Sequence, residues 1–215
     1  MSTEKTYAVF GLGRYGIAVA RELVAHGSEV IAVDINEVIV NDMSSDIPIC
    51  KCADVTDPEA VKQLGIANVD VVVISMASNL EASVMAIMLC KELGVKKIIA
   101  KCANEIHRKI LSRVGADIVV LPETDSGIRL AKNLLSSGFV DIIELSKNVS
   151  MVELDVKSDW LNRSIVELDL RKKYDLNIIA IREDKEVCTS IKPDMVLKEG
   201  MKLIVVVNTS RLSKL

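Results

Sequence analysis

Aromatic side chains are nearly missing from this chain of 215 residues: one tryptophan, three tyrosines and two phenylalanines make up 3% of it. A groove that holds nucleic acid asks for a basic domain, or for a basic stripe with stacking rings. With 27 basic against 30 acidic residues and a net charge of −3, the chain offers neither, which argues against a nucleic-acid partner. Histidine is scarcer still. His26 and His107 are the only two, both in helical patterns, and neither has a Ser, Asp or Cys partner at a spacing that signals nucleophilic catalysis. His26, beside Gly27, reads as the last residue of a helix, and His107 as part of a solvated helix face. Cys50, Cys52, Cys90, Cys102 and Cys188 form an odd set without Cys-x-x-Cys or a nearby histidine. That pattern argues against a zinc site or a disulfide framework and predicts buried thiols in a reducing compartment.

Long apolar runs are absent as well. The run from Val69 to Ala77 contains Asp70, and no apolar run reaches the roughly 18 residues a membrane span requires. The polar opening from Met1 to Thr6 has no signal-peptide core. The expectation is a soluble, intracellular protein. Apolar residues nevertheless make up half the chain. Drawn from Val, Ile, Leu, Ala and Met rather than rings, they suit buried parallel strands covered by helices on both faces.

One stretch carries specific chemistry. The apolar run Ala8-Val9-Phe10 enters Gly11-Leu12-Gly13-Arg14-Tyr15-Gly16, a helical pattern follows, and a second apolar run ends in Asp34, 18 residues past the last glycine. Strand, Gly-x-Gly-x-x-Gly, helix, strand and acid in that order form a dinucleotide-binding fingerprint. Gly11 permits a tight turn, Gly13 lets backbone approach a phosphate, and Gly16 lets helix and strand pack closely. N–H groups at the helix start then face phosphates, and Asp34 accepts from a ribose.

Strand-like runs at 7–10, 30–34, 48–52, 69–75, 97–101 and 118–121 alternate with helical periodicity at 14–26, 38–44, 58–64, 80–93 and 105–114. Such alternation predicts an α/β fold, a Rossmann-like doubly wound parallel sheet. Asp57-Pro58-Glu59 reads as a cap followed by proline at the first helical position, and Gly27 and Gly94 close their helices. A further helix is expected at 122–135, broken by Ser136-Ser137-Gly138. Thereafter short strands dominate, at 140–145, 151–156, 177–182, 186–189 and 202–207, with one helical stretch at 165–174. The expected organisation is a nucleotide-binding domain over 1–140, including the 122–135 helix, and a smaller α+β domain over 141–215.

Five segments in order, Phe10 to Gly16, Ala32 to Asn36, Ala53 to Thr56, Gly115 to Asp117 and Leu121 to Gly127, resemble the KtrA/TrkA family of bacterial potassium-uptake regulators. These are built on RCK domains, regulators of K+ conductance. The last third resembles the family's small C-terminal domain through Arg171-Lys172-Lys173-Tyr174 and Ile178-Ile179-Ala180-Ile181. The resemblance implies a non-enzymatic, cytoplasmic subunit that forms homodimers and then a ring, an octamer in the family. The ring sits under a membrane K+-translocating partner of the KtrB/TrkH kind, and ATP and ADP gate that partner by changing the ring's shape. A small NAD(H)-dependent oxidoreductase is the alternative that the fingerprint alone leaves open.

Within that frame Arg14 selects the ligand. Two bridging phosphates of NAD are served by backbone N–H groups, whereas an added guanidinium suits a longer phosphate chain. The matching family arginine approaches the terminal phosphate of ATP; the plainer reading is a solvated residue of the first helical turn. Tyr15 belongs to the same loop. Asp34 disfavours a ribose 2′-phosphate and hence NADP. Ile35 and Asn36 flank the adenosine, or Asn36 only caps the next helix. Asp54 and Val55 match the segment that lines the adenine, Asp54 being equally a turn acid. Ser75 and Met76 end the fourth strand in the crevice, and Lys101 ends the fifth, as a phosphate or cross-subunit contact or a solvated lysine. Glu123 matches a residue that binds Mg2+ or Ca2+ beside the phosphates, or stabilises a helix start. By resemblance Arg171, Ile178, Ile179, Ala180 and Pro193 are placed for cyclic di-AMP in the second domain, or serve an ordinary helix and strand.

Overall fold

The computed structural model describes residues 5–135, 139–146 and 148–208. The chain divides into two compact units, one up to Glu123 and one from Thr124 onward. Ser136-Ser137-Gly138, expected to break the sixth helix, lie outside the described residues.

The first unit alternates strand and helix: β1 (Thr6–Phe10), α1 (Arg14–Ala25), β2 (Glu29–Asp34), α2 (Glu37–Met43), β3 (Ile49–Cys52), α3 (Pro58–Gln63), β4 (Val71–Ile74), α4 (Leu80–Glu92), β5 (Lys97–Lys101), α5 (Glu105–Val114) and β6 (Ile118–Val120); α6 (Pro122–Leu135) follows. All strand pairs are parallel, in the order β3-β2-β1-β4-β5-β6. Two apolar layers explain the double winding. Ala8, Phe10, Val72, Ile74, Ile98 and Ala100 pack with α3, α4 and α5 on one face. Val9, Val30, Ala32 and Val73 pack with α1 and α2 on the other. The winding reverses between β1 and β4, so a crevice opens there beyond the strands' carboxyl ends.

Punctuation matches the pattern read from the sequence at Asp57, Gly27 and Gly94, and the structure adds caps at Asn79 and Asn104. Asn36, Asp57, Asn79 and Asn104 cap α2 to α5 by accepting from backbone N–H groups, and Gly27 and Gly94 sit at φ of +79° and +77° past α1 and α4. Asp117 ties the sheet from outside: it accepts from Ile98 N at 2.6 Å and from Lys91 Nζ at 3.1 Å. The Ile98 amide, then the Lys91 ammonium, hold its carboxyl below the ordinary 3.8. The bond's stabilisation is therefore complete above that ordinary value and fades as pH falls through the lower folded-state value. Asp117→Ala leaves the Ile98 amide without its acceptor and lowers stability by about 1–2 kcal/mol at neutral pH. Urea unfolding at pH 7 and at pH 3 checks this, with a smaller gap between variant and parent at the acid pH.

The second unit is an antiparallel sheet of β7 (Phe139–Ser146), β8 (Val149–Asp155), β9 (Asn177–Glu183), β10 (Glu186–Cys188) and β11 (Met201–Asn208), in the order β10-β9-β11-β8-β7. Val152, Leu154, Ile181, Leu203, Val205 and Val207 face a core shared with Trp160, Leu168, Leu170, Leu176 and Leu197. The single tryptophan is 1% exposed and lies against Tyr174, ring centroids 5.7 Å apart.

Three expectations are corrected. The stretch 165–174 is two short helices, α7 (Ile165–Leu168) and α8 (Leu170–Tyr174), because Asp169 turns left-handed at φ +46°. Aspartate tolerates that conformation, and a Ser164–Glu167 capping box has already fixed where α7 begins. The cysteines are not uniformly buried: Cys90 and Cys102 are, Cys50 is half-buried, and Cys52 and Cys188 are exposed. Cys52 is the last residue of edge strand β3, and Cys188 ends edge strand β10. His107 is half-buried rather than solvated, since α5 is oriented by Leu111 packing into the core.

Candidate functional site

A cavity of about 440 Å³ opens in the crevice at the ends of β1, β2 and β4. Its walls include Gly11, Gly13, Asp34, Ile35, Asp54, Val55, Ser75 and Met76, all candidates from the sequence. They are joined by Ile39, Ala53, Thr56, Ser78, Asn79 and Ala82, which sequence reasoning missed. The volume lies within the range of about 300–1,000 Å³ usual for small-molecule sites.

The glycines make the cradle. A Cβ on Gly16 would lie 2.0 Å from the Gly11 carbonyl oxygen, so α1 can approach the loop only without one. Gly11 stands at φ +88°, and its hypothetical Cβ would meet Met76 Cγ at 2.7 Å. At Gly13 a Cβ would meet nothing within 4 Å; the space beside it is open for a ligand. Asp34 folds this loop. Its Oδ2 accepts from Leu12 N at 2.6 Å and its Oδ1 from Asn36 N at 2.8 Å. A carboxylate accepts about four hydrogen bonds, which leaves capacity for ribose hydroxyls. Asn36 does not line the cavity; its side chain accepts from Val38 N and caps α2.

Asp54 sits in a local turn, accepting from Thr56 Oγ1 at 2.7 Å and from Thr56 N at 2.9 Å. The Thr56 hydroxyl, then its amide, hold the Asp54 carboxyl below its ordinary value, so it is ionised beside the cavity at neutral pH. Ser75 follows β4, with its N–H donating to Phe10 O at 2.7 Å. Its Oγ is buried and has no hydrogen-bond partner among the described residues.

The opening of α1 differs from those of α2 to α5. No side chain caps it, Gly13 being the residue before it, and no acid occupies its first turn. Glu37, Glu59, Glu81 and Glu105 stand in the first turns of the other four. Here the first residue is Arg14, exposed. Beside it Lys101 Nζ lies 5.5 Å from the centre of the Tyr15 ring and donates to Glu123 Oε1 at 2.6 Å. The Lys101 ammonium, and less strongly Glu123's own backbone N–H and the charge of Arg14, hold the Glu123 carboxyl below the usual glutamate range. Positive charge at an uncapped helix start favours an anion. Arg14, Tyr15, Lys101 and Glu123 thus form a charged cluster at this helix start, outside the walls of the cavity. Glu123 is an ionised oxygen donor of the kind a hard cation takes. Among the described residues no three His, Cys, Asp or Glu side chains group as ligands.

In the second unit Arg171 is exposed on α8, Ile178 half-buried, Ile179 41% exposed and Ala180 buried on β9. Pro193 is exposed, and its carbonyl accepts from Val166 N at 2.9 Å. Among the described residues no helix is long and apolar enough to cross a membrane.

Comparison with known proteins fits this geometry. The TrkA-N domain model matches residues 7–122 and the TrkA-C domain model residues 149–215. Ktr system potassium uptake protein C of Bacillus subtilis is 37% identical over 211 residues, 98% of this chain and 96% of that one. The chain belongs to the KtrA/TrkA family. Ktr system potassium uptake protein A of the same organism is 36% identical over 201 residues, covering 94% of this chain and 90% of its own. Among solved structures, the GsuK channel bound to NAD superposes with a TM-score of 0.66 at 20% identity over 98% of this chain, a likeness of fold. This chain spans only 38% of that channel's length. The two domain models match successive parts of the sequence, and each of the two potassium-uptake relatives runs along nearly all of it.

Proposed function

We propose that this chain is a nucleotide-sensing regulatory subunit of a potassium-uptake system rather than an enzyme. ATP or ADP occupies the crevice, adenosine against Ile35, Asp54 and Val55, ribose on Asp34, and phosphates across Gly11, Gly13 and the start of α1. Arg14 and Lys101 meet the far end of the phosphate chain, and Glu123 offers an oxygen to a divalent cation carried by those phosphates. Copies of the chain assemble into a ring on the cytoplasmic side of a membrane K+-translocating partner, and the ring's shape follows the nucleotide. Residues 1–140 act as the nucleotide-binding module and 141–215 as the regulatory one.

The observation that carries this reading is the opening of α1, uncapped, without an acid, and flanked by two cations. The potassium-uptake names of relatives alike over nearly the full chain support the partner. A gating ligand must bind two conformations unequally, since equal affinity shifts nothing. Calorimetry with ATP, ADP, AMP, NADH and cyclic di-AMP tests it, together with solution scattering. ATP and ADP are expected to bind at about 1 µM or tighter, near 8 kcal/mol, and to give different scattering curves. Identical curves count against gating. Preference for NADH, the class of ligand in the GsuK channel bound to NAD, would move the ligand from ATP to NAD.

A further inference from the structure

Lys101 is the unusual member of the cluster at α1. Its side chain is 16% exposed, while that of its partner Glu123 is 67% exposed. A lysine whose side chain is so largely covered has little freedom, and a counter-charge fixes where its ammonium emerges. The chain supplies one at 2.6 Å from Glu123, a residue 22 positions away, and backs it with the face of Tyr15 at 5.5 Å. Cation–π contact of this kind orients a flexible lysine without neutralising it. The ammonium is thus held in place at the helix start and already occupied.

We propose that the Lys101–Glu123 ion pair is a latch that a ligand's terminal phosphate must displace, with Tyr15 as the positioning residue that keeps the released ammonium aimed at the phosphate. This deepens the nucleotide reading above and rests on it. Glu123 and the phosphate compete for one ammonium. A phosphate that reaches Lys101 takes it as a charge-assisted donor, and Glu123, already largely in solvent, loses little on release. AMP, whose chain ends at the first phosphate, leaves the latch closed. The same pair then does two jobs: it gives Lys101 a counter-charge when no phosphate reaches it, and it makes phosphate length the quantity that the site reads.

The test is a double-mutant cycle on the full chain, by calorimetry with ATP and AMP in the presence of a chelator so that no divalent cation contributes. Glu123→Gln is expected to tighten ATP about fivefold and to leave AMP unchanged. In a Lys101→Met background the same substitution is expected to give no gain, because no ammonium is left to release. Tyr15→Leu is expected to weaken ATP and not AMP, with Tyr15→Phe restoring parental affinity through its ring. Weaker or unchanged ATP binding by a folded Glu123→Gln chain overturns the latch. So does an equal gain in the Lys101→Met background, which would mark a general field effect of the carboxylate. A parent chain that binds no nucleotide overturns the nucleotide reading itself, and the latch with it.

Discussion

Gly16→Ala is expected to lower ATP affinity more than about 100-fold, close to 3 kcal/mol, and to make unfolding of the first unit easier by about 3 kcal/mol. The added methyl has nowhere to go. Its Cβ would stand 2.0 Å from the Gly11 carbonyl oxygen, 3.1 Å from the Gly11 carbonyl carbon and 3.2 Å from Ser75 Oγ. Two of these neighbours are backbone, so no rotamer relieves the clash. α1 must move away from β1, or the loop must lift. Either motion breaks the bonds that shape the cradle, from Gly11 N to Val33 O at 2.8 Å and from Leu12 N to Asp34 Oδ2 at 2.6 Å. Gly27→Ala is the control. It meets nothing within 4 Å and suffers only from its φ of +79°, a cost of about 1 kcal/mol with binding unchanged. Calorimetry and urea unfolding of both variants read the difference. Parental ATP affinity in a folded Gly16→Ala chain would remove the phosphates from this loop.

Arg14→Ala separates ligands by phosphate length. ATP is expected to weaken about 10- to 100-fold, the loss of one or two charge-assisted hydrogen bonds worth about 1.5–3 kcal/mol together. ADP should weaken less, and AMP should stay within about twofold. Arg14 is exposed at the first position of α1 and is not part of either apolar layer, so melting temperature should hardly change. The AMP arm makes the result specific: a guanidinium that meets the far phosphates cannot act on a ligand lacking them. Equal losses for ATP and AMP would instead assign Arg14 a general role in shaping the loop. The arginine and the proposed lysine latch are separable by this panel, since Glu123→Gln is expected to raise ATP affinity where Arg14→Ala is expected to lower it.

Much of the site is legible in the sequence because it is local. The loop from Gly11 to Gly16, the acid at Asp34 and the caps at Asn36 and Asp57 each depend on residues within a turn or one crossover. Other parts are not legible for an equally physical reason. Thr56, Asn79 and Ala82 reach the cavity only because the parallel order brings the loops after β3 and β4 to the same end as β1. Asn79 also caps α4, its side chain accepting from Ala82 N at 3.0 Å. The break at Asp169 is hidden because its neighbours on both sides favour helix, and the interruption lies in one backbone angle. The exposure of Cys52 and Cys188 follows from strand order, which places β3 and β10 at sheet edges.

The amino-acid order alone determined the layering of the first unit, since apolar runs at strand length alternating with amphipathic helices have one economical way to bury both faces of a sheet. It also determined where backbone must come close, because only glycine tolerates what Gly11 and Gly16 do. Tertiary structure decided which charges meet. Lys101 and Glu123 lie on separate elements, and Asp117 bonds an amide 19 positions earlier. Charge pairing acts over a few ångströms of space, while the chain sets those distances only after the sheet has ordered its strands.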